Sequence, residues 1–205
     1  MTSVGRPFLE KEGLLLSEYG FTPDEGYAKL ASGTVTYYHY THADRLDEIF
    51  SPDSGLLASR PIACPNIPEQ FKDRYVTEGF LEPLPNWLKN CTYFGDLGYE
   101  LMRRYIGNVL LEIKLPVREY DVHIADYAHV MECKSIEYRG TPALQLGYDC
   151  NSGSKVTQAY VHSFIPVVKY KRGHVAPVVQ VLRLGEGVAV PNRYIEVSKL
   201  QPFQL

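Results

Sequence analysis

The stretch Thr34-Val-Thr-Tyr-Tyr-His-Tyr-Thr-His-Ala-Asp-Arg-Leu-Asp-Glu-Ile-Phe50 decides how the rest of the chain is read. Thr34 to Tyr40 are nearly all β-branched or aromatic and alternate as a strand does, with Val35, Tyr37 and His39 on one face and Thr36, Tyr38 and Tyr40 on the other. Thr41 followed by Asp44 is close to a capping box, and Leu46, Ile49 and Phe50 recur at helical spacing, so a short amphipathic helix is expected directly after the strand. Ser51-Pro-Asp-Ser-Gly55 ends it. The junction puts His39, Thr41 and His42 beside free N–H groups at a helix start, a setting suited to an anionic ligand.

Working outward, residues 1–33 read as an N-terminal helical appendage, with a helix over Pro23 to Leu30 and a break at Gly33; residues 34–205 read as the main domain. After the opening helix, Arg60 to Pro85 carries Pro61, Pro65, Pro68, Pro83 and Pro85, which predicts a long loop region with one short helix near Glu69 to Val76. Cys91 to Phe94 reads as a short strand, and Leu97, Leu101 and Tyr105 mark a helix that starts at Asp96 and closes at Gly107. Asn108 to Leu115 alternates as a core strand, and a helix over Asp126 to Lys134 follows a less regular stretch. From Gln158 onward, through His174 to Leu184 and Tyr194 to Val197, the chain reads as mostly β. Early helices with strands throughout and no regular βαβ alternation give an α+β class with a mainly antiparallel, split sheet and short helices.

At 205 residues, 45% hydrophobic and 22% charged, the chain has the composition of a folded enzyme or binding domain and can bury a full core. A net charge of −3 exerts no global pull toward nucleic acid. The four cysteines, Cys64, Cys91, Cys133 and Cys150, have neither CxxC pairs nor zinc-ligand spacing, and they read as isolated thiols. The first residues lack the charged start and apolar run of a signal peptide, and no apolar run is long enough to cross a bilayer. A cytoplasmic protein is expected, or one delivered to another cell without such a signal. GxSxG, P-loop and GxGxxG motifs are missing, which removes the main signatures of α/β-hydrolases, P-loop NTPases and dinucleotide-binding oxidoreductases.

Three segments stand out in order: Tyr38-His-Tyr-Thr41 with Gly55-Leu-Leu57 after its helix, Thr92-Tyr-Phe94 before the Asp96 helix, and Thr157-Gln-Ala-Tyr160. Together they resemble the ADP-ribosyltransferase fold, in the branch with histidine in the first motif and tyrosine in the second, and the pattern is similar to that of the rifampin ADP-ribosyltransferases and toxin-like relatives. The resemblance implies NAD as co-substrate. It implies His39, Tyr40 and Thr41 on its ribose and pyrophosphate, and Tyr93 packed on nicotinamide. Gln158 stands where longer relatives carry a catalytic glutamate, and an amide can bind a ribose hydroxyl but brings no full charge. The rifampin-modifying group uses an aspartate after the strand that follows the helix, which implies Asp121 here, with Asp126 as a second candidate. The expected activity is transfer of ADP-ribose to an acceptor that is a protein side chain, a nucleobase or a small molecule. The alternative is a non-catalytic descendant of the fold that binds a nucleotide or a partner.

Overall fold

β-branched and aromatic side chains on both faces of one strand require two layers to bury them, and the Thr34 stretch sits between two cores. The computed structural model describes residues 30–31, 33–89, 106–130, 153–170, 174 and 176–200. In chain order the elements are β1 (Leu30–Ala31), β2 (Thr34–Thr41), α1 (Leu46–Ile49), β3 (Gly55–Ala58), β4 (Arg60–Pro61), β5 (Arg74–Phe80), α2 (Asn86–Lys89), β6 (Val109–Pro116), β7 (Asp121–Asp126), α3 (Gly153–His162), β8 (Ile165–Pro166), β9 (Pro177–Leu184), β10 (Gly187–Pro191) and β11 (Ile195–Val197). The main sheet runs β11-β6-β2-β5-β9-β7-β8, with β1 added beside β2 and β4 beside β5, and β3 pairs with β10 in a separate ribbon. Every strand pair among the described residues is antiparallel. The α+β class with a mainly antiparallel sheet and short helices is therefore what the chain forms.

On one face of the sheet Tyr38, Tyr40, Val76, Phe80, Ala125, Val178 and Leu182 pack with Trp87 of α2 and with Tyr160, Val161 and Phe164 at the end of α3. On the other, Val35, Tyr37, Leu111, Ile113, Leu115, Val179 and Val181 pack under the β3/β10 ribbon through Leu56, Ala58, Ala189 and Val190. The alternation read in β2 thus sends Val35 and Tyr37 into one core and Tyr38 and Tyr40 into the other, while His39 belongs to neither.

Several expectations are corrected. Glu69 to Val76 is not a helix: a single 3-10 turn at Glu69–Phe71 leads into β5, which lies inside the sheet between β2 and β9. The prolines flank β5 and leave Arg74–Phe80 free to pair. Gln158 to His162 is not β but the end of α3, because Tyr160 and Phe164, four residues apart, turn into one core with ring centroids 5.3 Å apart. Asp126 closes β7, and the helix expected over Asp126 to Lys134 begins two residues later, with residues 128–130 helical. β1 forms a hairpin with β2 through Gly33 at φ 79°, so Leu30 and Ala31 of the expected appendage belong to the sheet. The remainder of that appendage, the Cys91–Phe94 strand, the start of the Asp96 helix and residues 131–134 lie outside the described residues. No helix among the described residues is long and apolar enough to cross a membrane.

Candidate functional site

Among the described residues, the sheet opens between β2 and β5. β2 and β5 share a single bridge, Tyr38 opposite Phe80, while β4 covers β5 further along at Val76 and Tyr75. Between these contacts no described strand ladders onto the Thr77–Gly79 edge of β5. The His39 ring takes up the place of the next rung, with Nδ1 2.7 Å from the Glu78 carbonyl oxygen. A carbonyl only accepts, so Nδ1–H donates and the neutral ring keeps a free lone pair on Nε2. Burial pushes the imidazole pKa down, against smaller upward effects of the Glu78 carbonyl and the Glu78 charge. Gly79 is needed at the fork, because a Cβ there would come within 2.5 Å of the Tyr38 carbonyl oxygen and 2.7 Å of the Tyr37 ring.

Beside the fork lies a pocket of about 150 Å³, lined by His39, Tyr40, Glu78, Gly79, Phe80, Trp87, Ile106, Tyr127 and Val178. That is the space of one six-membered ring. Its aromatic walls brace one another: Tyr40 meets Phe80 at 5.9 Å between centroids, Phe80 meets Trp87 at 5.9 Å, Trp87 meets Tyr127 at 6.2 Å, and Tyr127 meets Tyr160 at 6.1 Å. The Tyr40 hydroxyl donates to the Pro83 carbonyl, which ties β2 to the segment before α2.

Glu78 brings the only carboxylate in the lining among the described residues. Arg60 donates to its Oε2 at 2.7 Å from the solvent side, and Gln180 Nε2 donates to the same oxygen at 3.2 Å from the core side. Gln180 is fully buried, and its Nε2 also donates to the Tyr160 hydroxyl at 2.9 Å. The Tyr160 phenol is held far above its ordinary pKa, first by burial and then by the Glu78 charge. Arg60 and Glu78 are half exposed, at 56% and 44%, so their ion pair contributes at most about 1 kcal/mol to folding.

The residues expected from sequence fall in different places. His39 and Tyr40 line the pocket together. Thr41 is buried at the end of β2 under the backbone of Gly107, whose φ of 123° and missing side chain permit the approach. His42 precedes a 3-10 turn without capping it through its side chain, and α1 has only four residues, so the expected anion site at a helix mouth has no long helix behind it. Asp121 opens β7, 3.3 Å from His123 Nδ1 and 3.9 Å from Arg74; with Asp121 opposite Leu182 and Gln180 opposite Glu78, it lies two residues along the strands and two strands away from Glu78. Asp126 is 1% exposed and accepts from the Ala128 and Ala176 N–H groups at 3.1 and 3.0 Å, which uses its carboxylate to hold the chain after β7. Gln158 is on α3, two residues before Tyr160 and therefore about 200° around the helix from the core-facing side. Neither Asp121 nor Gln158 is among the lining residues, and Tyr93 lies outside the described residues.

Glu78 is the residue that reading the sequence missed. Tyr75, Thr77 and Gly79 alternate in position with Val76, Glu78 and Phe80, but nothing in that alternation singles out the acid. Comparison with protein-family models, with curated proteins and with solved structures finds no match for this chain.

Proposed function

We propose that the chain is an ADP-ribosyltransferase-like protein that binds NAD at the β2/β5 fork and transfers its ADP-ribose to an acceptor. The observation that carries the reading is the pairing, at one break in an antiparallel sheet, of a carboxylate (Glu78) and a neutral histidine (His39) beside a ring-sized aromatic pocket. The nicotinamide of NAD is a cationic ring, so aromatic faces and a nearby carboxylate favour it over a neutral ring of the same size. His39 Nε2, a lone-pair acceptor, suits a ribose hydroxyl.

The acid is assigned to Glu78. When the glycosidic bond breaks, its electron pair leaves with nicotinamide and positive charge develops on the ribose; a fixed anion beside it stabilises that charge more than it stabilises bound NAD. The acceptor then attacks the anomeric carbon and gives up its proton to solvent or a base. Asp121 and Gln158 remain outside this step.

Titrating NAD against the melting temperature tests the binding half. At about a hundredfold excess over Kd, a ligand adds ~2.7 kcal/mol, which for a chain of this size is a rise of about 5–10 °C. A rise together with nicotinamide release supports transferase chemistry, a rise without release supports the non-catalytic descendant, and no rise removes the NAD reading.

A further inference from the structure

The two oxygens of Glu78 have different surroundings. Arg60 and Gln180 both donate to Oε2, at 2.7 and 3.2 Å, from opposite sides, while no partner meets Oε1 among the described residues. Gln180 is an unusual residue to find where it is. It sits in the middle of β9, fully buried, directly opposite Glu78 on one neighbouring strand and His123 on the other. Its Nε2 is shared between Glu78 and Tyr160, and its own Oε1 is buried without a partner among the described residues. An unpaired buried carbonyl is destabilising, and an aliphatic side chain of the same length would avoid it. Flipping the amide gives no relief, since Oε1 would then face the carboxylate. The amide is therefore poorly explained by packing and well explained by what its N–H groups hold.

We propose that Gln180 is a positioning residue that, with Arg60, anchors Oε2 of Glu78 and leaves Oε1 for the ligand. Tyr160, accepting the second N–H of the amide, fixes Gln180 and links the carboxylate to α3. This rests on Glu78 being the acid of the site. It assigns unlike roles to the two donors: Arg60 is half exposed and supplies charge, whereas Gln180 is enclosed and supplies direction.

The test uses the full-length chain and Gln180→Met, which keeps the length of the side chain and removes its polar atoms. High-resolution structures of both are expected to show Oε2 shared by Arg60 and Gln180 in the parent and more than one carboxylate orientation in the variant. Nicotinamide release from NAD is expected to fall at least tenfold in kcat with KM within twofold, while the melting temperature stays level or rises. A carboxylate that keeps its orientation in the variant, or a kcat within twofold of the parent, overturns the proposal. If Gln180→Met does not fold, Tyr160→Phe keeps the ring and frees the amide, and the same change in orientation with a threefold or larger fall in kcat is required. A parent that neither binds NAD nor releases nicotinamide defeats the transferase reading alone; the carboxylate orientation still decides the anchor.

Discussion

His39 and Glu78 line one pocket and are joined through the Glu78 backbone, and among the described residues His39 Nε2 and Glu78 Oε1 have no partner. Replacing His39 by alanine removes the donor to that carbonyl, and the account expects NAD affinity to fall about tenfold, or ~1.4 kcal/mol, by calorimetric titration. Unchanged affinity would detach His39 from the ligand. Trp87, 1% exposed, is the largest wall of the pocket; Trp87→Ala is expected to lose about 3–5 kcal/mol in urea unfolding, because the wall serves the core as well as the ring it faces. A loss below 1 kcal/mol would show that the packing is not as described. His39 and Tyr40 were legible because a strand pattern fixes direction: a histidine among alternating aromatics has to face something. Glu78 was not legible, because prolines on either side of Arg74–Phe80 read as loop punctuation and a lone acid carries no pattern of its own.

Among the elements, β2, β6, β9 and β11 follow from alternation and the proline stops, which is a local property of the chain. The place of β5 between β2 and β9 does not follow, since it depends on partners far away in sequence. Nor does α3, whose Tyr160 and Val161 suit a strand by propensity and become helical as they pack into one core with Phe164, which follows the helix. The fork itself depends on Gly79. Gly79→Ala pushes a Cβ against the Tyr38 carbonyl and the Tyr37 ring, and the expected cost is about 1–3 kcal/mol with weakened NAD binding. The same urea midpoint as the parent would mean that β2 and β5 separate for another reason.

Across the whole molecule, three histidines stay neutral in the fold. His39, His123 and His129 all have pKa values lowered, in each case first by burial, with partial compensation from Glu78, Asp121 and Asp126 respectively. The unfolded chain therefore binds protons before the folded one does, so their contribution is fully present above the ordinary histidine value of about 6.5 and is lost as pH falls through the lowered folded values. Thermal melts between about pH 8 and pH 5 are expected to be level at the upper end and to drop below pH ~6.5; a melting temperature that rises on acidification contradicts the neutral-histidine assignment. Two cores meet on one sheet, and the chemistry proposed for the chain lies where β2 leaves β5. The rate of nicotinamide release from NAD by the parent and by Glu78→Gln, an isosteric change that removes the charge, tests that claim most directly. Measurable release by the parent is expected, with a loss of about a hundredfold or more in kcat in the variant, the size of one electrostatic contact to the transition state. Equal rates in the two chains, or no release by the parent with any acceptor mixture tried, would contradict it.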